Sequence, residues 1–305
     1  VVFLATAVVV AYRFVRPAPV QLLWRRSLEV FVAGLPFALA WLLLSADQRI
    51  NTLLLGRLSG DASVAMFGAA ARMMEATLIV PSMLATAFFP TAVRHEREGL
   101  SSLAALLTGS LKVMITTGVP IAITLAILAR PIVVAVFGDA YAPAADSLRI
   151  LAPAVLLLYA RIGLIQIALV LGRWRLALGV QILGLAIDVV AALLLVASAG
   201  ERGAAAALVL SEVVTVAAAL YALHSSFGDH GVIELGRPLL AGAAAAAVGL
   251  AMSGTSNLTA IGAAGITFLV CLRIVPVFSP QESLYVQSSS SLLGSLMSFA
   301  VRGKQ

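Results

Sequence analysis

Charged residues lie inside two long apolar segments of the sequence, where a membrane span would meet hydrocarbon. The first segment, VFVAGLPFALAWLLLSADQRINTLLL, contains Asp47, Arg49 and Asn51, and the second, VAMFGAAARMMEATLIVPSMLATAFFP, contains Arg72 and Glu75. A charge at the centre of a bilayer costs about 2.5–3.5 kcal/mol, and it is tolerated when it is paired or faces a water-filled cavity. We therefore predict that these two segments line a transport pathway.

The spacing of these residues predicts which of them share a helix face. Asn51 follows Asp47 by four positions and Glu75 follows Arg72 by three, so each pair lies on one face, while Arg49 points to a different side. In two antiparallel spans Asp47 and Arg72 have matching depths. One interpretation is an interhelical salt bridge that pins the spans together. In the other, Arg72 binds an anionic substrate group, and Asp47 and Glu75 hold it or exchange with it as a proton or cation moves.

Four further charges are predicted inside later spans. Lys112 and Arg161 lie close enough to a predicted boundary for a long side chain to reach the interface, so this role and a cavity role remain open. Asp188 and Glu212 are too short to do so. Each is a candidate carboxylate for a coupling ion, and a buried polar contact with a neighbouring helix is the alternative.

The composition identifies an integral membrane protein. Of 305 residues, 61% are hydrophobic and 11% are charged, whereas soluble domains contain about 25% charged residues. The apolar runs are continuous for about 20 residues, which indicates helices rather than barrel strands. We predict an all-α multi-span bundle with spans near 29–55, 64–92, 103–128, 146–170, 176–199, 203–223, 238–254 and 258–276.

The positions of Lys and Arg predict the orientation of these spans. Basic residues concentrate in alternate loops and the tail, which places those regions and the C-terminus in the cytoplasm. The predicted inner set is Arg13, Arg16, Arg25, Arg26, Arg94, Arg97, Arg173, Arg175, Arg237, Arg273, Arg302 and Lys304, against Arg57, Arg130 and Arg202 outside. The net charge of +6 is thus attributed to topology and not to nucleic-acid binding.

Residue patterns typical of enzymes and metal sites are not found in the sequence. The three histidines lack metal-ligand spacing, and the chain has neither a GK[ST] phosphate loop nor a recognisable Ser/His/Asp arrangement. Cys271, the single cysteine, lies in an apolar run. We predict a protein that is not an enzyme and uses no cofactor or metal.

Several segments resemble the multidrug/oligosaccharidyl-lipid/polysaccharide exporter (MOP) superfamily, especially its oligosaccharide flippase and lipid II flippase branches. AARMMEATLIVPSMLATAFFP and then LKVMITTGVPIAITLAILARPIVVAVFG are similar to the eighth and ninth spans of the family. GRWRLALGVQILGLAIDVVAALLLV and then GAAAALVLSEVV are similar to the region from the tenth loop to the twelfth span. The resemblance covers residues 28–223 well and the remainder by topology only.

The resemblance implies a fold, a function and a site. Family members have two six-helix lobes around a central cavity and flip a polyprenyl-diphosphate-linked sugar by alternating access. Residues 1–27 would then be the remnant of the first lobe and a basic linker, 28–223 the second lobe, 224–277 two additional spans and 278–305 a cytoplasmic tail. The cavity arginine and glutamate of the family's eighth span would correspond to Arg72 and Glu75.

The resulting expectation is a flippase for a lipid-linked oligosaccharide in a bacterial or archaeal plasma membrane. Its partners would be that substrate, membrane lipids and Na⁺ or H⁺ as a coupling ion, with no nucleic acid. The alternatives are a cation-coupled multidrug antiporter of the same superfamily and a non-transporting membrane scaffold. A membrane glycosyltransferase is disfavoured, because the predicted outer loops are too short for a catalytic domain.

Overall fold

A computed structural model describes residues 31–32, 42–43, 46–47, 49–96, 100–227, 234–252, 257–274 and 277. The chain divides into two units, 1–42 and 43–305, and the description below concerns the second. Its described helices are α1 (49–58), α2 (Asp61–Ala76), α3 (Ile79–Glu96), α4 (Leu100–Ile127), α5 (Ala129–Phe137), α6 (Ala144–Val170), α7 (Trp174–Leu223), α8 (Gly236–Ala251) and α9 (Asn257–Ile274). Short 3₁₀ turns cover Asp139–Tyr141 and His224–Ser226.

Membrane-length helices make up most of this unit. Within the described ranges, five helical stretches are long and apolar enough to cross a bilayer, and no residue there is in a strand. One of the five, Trp174–Ser226, has 53 residues, although about 20 suffice for one crossing. The predicted all-helical, multi-span fold is therefore confirmed.

The long helix α7 is a tight hairpin of two spans. Gly200 has φ 54° and ψ −128°, a left-handed backbone that suits glycine. In a straight helix residues 195 and 203 would be about 12 Å apart. Here a β-carbon on Gly203 would lie 2.1 Å from the carbonyl oxygen of Leu195, so the chain doubles back. This turn separates the spans predicted near 176–199 and 203–223.

Helix α6 lies at the centre of the bundle. It packs against α2, α3, α4, α5 and α7, and most of its length is buried. Helices α8 and α9 pack against each other and against α4. Pro120 and Pro153 lie inside α4 and α6 without ending them, as expected where neighbouring helices surround the backbone.

The segment between the spans predicted near 103–128 and 146–170 is more ordered than the sequence predicts. The stretch around 130–141 was expected to be a loop, but α5 and a 3₁₀ turn occupy it, with Ala129 and Val133 fully buried. The apolar run PIVVAVF explains this difference, since it has a face to bury. The proposed linker 1–27 and tail 278–305 lie outside the described residues.

Candidate functional site

A cavity of about 570 Å³ opens beside α1 and α2. Its polar side chains come from Arg49 and Thr52 on α1 and from Arg72 and Glu75 on α2, and Phe137 and Tyr141 close one side. The small residues of α2, including Gly68 and Ala69, leave room between these side chains. The cavity therefore combines two guanidinium groups, one carboxylate and two aromatic rings.

The charges in this cavity are not neutralised by one another. Arg49, Arg72 and Glu75 are exposed, and none of them forms an ion pair with another described residue. With two cations and one anion, the lining is net positive. Arg72 lies eleven residues into α2, about 16 Å along its axis.

A second cluster of charges is buried between α1, α6 and α7. Arg161 on α6 is 5% exposed and lies at its centre. Its Nη2 is 3.5 Å from Oδ2 of Asp47, its Nε is 3.0 Å from Oε2 of Glu212, and its Nη1 donates to Oε1 of Gln181 at 3.1 Å. The contact with Glu212 has the distance of an ion pair but not the angles of a hydrogen bond.

Asp188 and Asn51 complete this cluster. Nδ2 of Asn51 donates to Oδ2 of Asp188 at 2.7 Å, and both side chains are about 1% exposed. Three oxygens, Oδ1 of Asn51, Oδ1 of Asp188 and Oε2 of Glu212, have no hydrogen-bond partner among the described residues. Three carboxyl groups thus surround one guanidinium, which leaves an excess of negative charge unless a proton or cation joins them.

A further buried charge, outside the cavity and the buried cluster, links α8 to the bundle. Lys112 on α4 is fully buried, and its Nζ lies 2.5 Å from Oε2 of Glu234, just before α8. Arg237 lies 3.8 Å from the other oxygen of Glu234. This contact explains why Lys112 can remain inside the bundle.

The structure distributes the predicted site residues over two places. Arg49, Arg72 and Glu75 line the cavity, whereas Asp47 and Asn51 belong to the buried cluster with Arg161, Asp188 and Glu212. Asp47 faces Arg161 and forms no salt bridge with Arg72, so the contact between Asp47 and Arg72 that both interpretations assumed is wrong. The separate direction of Arg49 agrees with its spacing. Whether these residues bind a substrate or an ion stays a prediction.

The interface role that was left open for Lys112 and Arg161 is wrong. Lys112 and Arg161 do not extend to the interface: both are buried and paired inside the bundle. The sequence analysis also missed Thr52, Gln181 and Glu234. Thr52 lies three positions after Arg49, so helical spacing could have placed it beside that arginine. Gln181 lies seven positions before Asp188, which puts both residues on one helix face about two turns apart, and its contact is with Arg161 on another helix. Glu234 had no such signal.

No group of three or more His, Cys, Asp or Glu residues in the described ranges has the geometry of a metal site. The buried cluster is therefore a set of carboxyl groups held by an arginine and by amides, and it lacks the compact ligand cage that a structural metal ion requires. Its chemistry suits the exchange of one proton or one weakly held cation.

Comparison with protein families and curated proteins gives one match. A family model described as "Polysaccharide biosynthesis protein" matches residues 1–146, which include every residue that lines the cavity. No curated protein matches the chain.

Solved structures give the fold. The lipid II flippase MurJ in its inward closed conformation aligns with a TM-score of 0.59 at 13% identity over 75% of this chain, and the chain spans 51% of that protein. A MATE structure in the straight conformation aligns with a TM-score of 0.57 at 16% identity, and the alignment covers 87% of this chain and 70% of the MATE chain. A MOP superfamily transporter from Pyrococcus furiosus aligns at 0.55 with 15% identity, covering 88% and 71%.

These matches confirm the resemblance to the MOP superfamily at the level of the fold. The chain is a multi-pass membrane protein with the helical architecture of MOP transporters, and it spans about half the length of the flippase that it matches.

Proposed function

We propose that this chain is part of a MOP-type transporter, not an enzyme, that flips a polyprenyl-diphosphate-linked oligosaccharide across the plasma membrane of a bacterium or archaeon by alternating access. The observation that carries this proposal is the cavity with Arg49 and Arg72, two exposed guanidinium groups without a carboxylate partner in the described structure. Guanidinium groups pair well with diphosphate oxygens, because their planar forks can donate two hydrogen bonds at once.

The rest of the cavity fits the same substrate class. Glu75 and Thr52 offer polar groups to sugar hydroxyls, and Phe137 and Tyr141, whose ring centroids are 5.6 Å apart, give an apolar wall. The match to polysaccharide biosynthesis proteins covers all these residues, which supports a glycan-bearing substrate. The lipid tail of such a substrate would remain in the bilayer.

The buried cluster is the proposed coupling site. Three carboxyl groups around Arg161 favour uptake of a positive charge, and three oxygens in the cluster lack a hydrogen-bond partner among the described residues. Asn51 is on the same helix as Arg49, and Asp47 lies two residues before Arg49 in the chain, so filling the cluster would act on the segment that also lines the cavity. H⁺ and Na⁺ both fit this chemistry, and gradients of each ion, applied separately to vesicles, would distinguish them.

A cation-coupled multidrug antiporter is the second candidate function. The excess of carboxyl groups in the buried cluster and the likeness to MATE structures favour it. However, those carboxyl groups do not line the cavity, whose charged side chains are net positive. An organic cation would therefore meet repulsion there, so we place this function behind the flippase. A scaffold without transport would not explain why the cavity keeps two arginines that form no ion pair with any described residue.

Binding of a short polyprenyl diphosphate tests this proposal. Farnesyl diphosphate is the probe, farnesol is the uncharged control ligand and tetraphenylphosphonium represents organic cations. We expect the protein to bind farnesyl diphosphate in preference to farnesol, Arg72→Ala to lose that preference and Arg72→Lys to retain part of it. Arg57→Ala, which removes an exposed arginine outside the cavity, is the matched control and should bind as the unchanged protein does. Preference for tetraphenylphosphonium would contradict the proposal and favour the antiporter.

A further inference from the structure

The cavity helix is interrupted directly after its charged residues. Helix α2 ends at Ala76 and α3 begins at Ile79. Between them, the backbone N–H groups of Thr77, Leu78 and Val80 each donate to the carbonyl three residues earlier, where an α-helix would use the carbonyl four residues earlier. Pro81 explains the interruption: in a continuous helix its N–H would bond to the carbonyl of Thr77, but proline has no N–H. One acceptor site on the Thr77 carbonyl is therefore left for another donor.

A tyrosine from the central helix supplies that donor. The hydroxyl of Tyr159 on α6 donates to the carbonyl oxygen of Thr77 at 2.8 Å, and the side chain is fully buried. Gly118 on α4 makes room for the ring, because a β-carbon there would lie 3.1 Å from it. The tyrosine is thus held in one position, and its hydroxyl ties the interruption to α6.

The two ends of this contact lie next to the two charged sites. Thr77 follows Glu75 by two residues and Arg72 by five, so it fixes the end of α2 that carries these two of the three cavity charges. Tyr159 precedes Arg161, the centre of the buried cluster, by two residues on α6. The hydrogen bond is therefore a short mechanical link between the helix of the cluster and the helix of the cavity.

We propose that Tyr159 is a positioning residue: its hydroxyl, through the Thr77 carbonyl released by Pro81, sets the angle between α2 and α3 and so holds Arg72 and Glu75 toward the cavity. This inference rests on the proposed function, since it assigns the tyrosine a role in binding a diphosphate. Movements of α6 that follow a change of charge at Arg161 would reach the cavity by the same link.

A double-mutant cycle of Tyr159→Phe and Pro81→Ala tests this inference. Alanine at position 81 restores an N–H that can donate to the Thr77 carbonyl. In that background the hydroxyl of Tyr159 is no longer needed as the donor. Spin labels on Ala62→Cys and Met83→Cys, both exposed and on opposite sides of the interruption, report the angle in protein that carries Cys271→Ala. As a single variant, Tyr159→Phe should broaden the distribution of distances between the two labels. In the Pro81→Ala background, Tyr159→Phe should leave that distribution unchanged.

Binding of farnesyl diphosphate gives the second readout. A neutral hydrogen bond is worth about two- to twelvefold in an equilibrium constant, so Tyr159→Phe should lower the affinity by that factor, and by less than about twofold in the Pro81→Ala background. Tyr221→Phe, at an exposed tyrosine, is the matched control and should have no effect. Unfolding temperatures of all variants show whether a loss is merely structural.

The outcomes separate this inference from the proposed function. Equal effects of Tyr159→Phe with and without Pro81→Ala would overturn the link through Thr77. A changed label distance with unchanged affinity would overturn the positioning role while leaving the flippase proposal intact. If the unchanged protein does not bind farnesyl diphosphate, the proposed function fails, and with it the role of the tyrosine in binding. The label distances then test only whether Tyr159 sets the angle between α2 and α3.

Discussion

Arg161 is the single cation of a cluster that contains three carboxyl groups. Removing it leaves Asp47 and Glu212 buried without their cationic partner, and breaking a buried pair in this way costs about 3–5 kcal/mol. We expect Arg161→Gln to lower the unfolding temperature of the detergent-solubilised protein strongly.

The opposite change should be mild. Asp188→Asn removes one negative charge from a cluster that has an excess of them, while its amide oxygen still accepts from Asn51. We expect the unfolding temperature to stay the same or rise and the dependence of transport on the ion gradient to weaken. Strong destabilisation by Asp188→Asn, similar to that of Arg161→Gln, would show that the carboxylate is needed for structure and not for coupling.

Individual charged residues were visible in the sequence, but their partners were not. Asp47, Arg161, Asp188 and Glu212 stand out because apolar segments surround them. The pairing of Asn51 with Asp188 joins positions 137 apart, and spacing on one helix cannot predict a contact between helices. Depth alone suggested Arg72 for Asp47, but depth does not fix the rotation of a helix.

Helix α7 depends on close contact at its hairpin turn. A methyl group on Gly203 would overlap the backbone of Leu195, which cannot move aside as a flexible side chain would. We expect Gly203→Ala to destabilise the protein by about 1–3 kcal/mol, as overpacking against rigid backbone does. Gly179→Ala, on the same helix with open space around it, is the control and should be neutral or slightly stabilising, since alanine favours helix.

This prediction is measured by thermal unfolding in detergent, with yield from the membrane fraction as a second readout. Equal unfolding temperatures of the two alanine variants would mean that the backbone at Gly203 has room for a methyl group.

Helix α8 depends on an ion pair for its attachment. Glu234 joins it to the fully buried Lys112 on α4, and Glu234→Gln would remove the carboxylate charge from this contact. We expect faster hydrogen–deuterium exchange in α8 and α9 and little change in α6. The double variant with Lys112→Met removes both charges and should recover most of the protection. Unchanged exchange in Glu234→Gln would show that apolar packing alone holds these helices.

Helices were the most predictable elements. Continuous apolar runs gave the spans from 64 to 276 to within a few residues, because hydrocarbon thickness sets their length. The helix α5 was missed, since its run is too short to span and its burial depends on neighbours. The interruption at Thr77 follows from Pro81, but the tyrosine that completes it could not be found from sequence.

At the scale of the whole molecule, the orientation in the membrane is a prediction from the distribution of basic residues. Arg202 lies at the hairpin turn of α7 and Arg173 at its other end, and both are exposed. In a Cys271→Ala background, a membrane-impermeant maleimide added to intact cells should label Arg202→Cys and leave Arg173→Cys unlabelled until the membrane is opened. The reverse pattern would invert the predicted orientation and place the C-terminus outside.

Under the proposed function, the two charged sites would act in one mechanism. The chain spans about half of the flippase that it resembles, so the cavity described here would be one wall of the pathway, with its positive lining turned toward the diphosphate. The buried cluster would gain or lose a positive charge as the pathway changes its opening.

The most direct test of this account is leaflet transfer of a fluorescent polyprenyl-diphosphate lipid in vesicles that contain the protein. We predict that Arg72→Ala abolishes transfer, that Arg72→Lys preserves part of it and that Arg57→Ala transfers the lipid normally. Transfer by the Arg72→Ala variant at the rate of the unchanged protein would contradict the account.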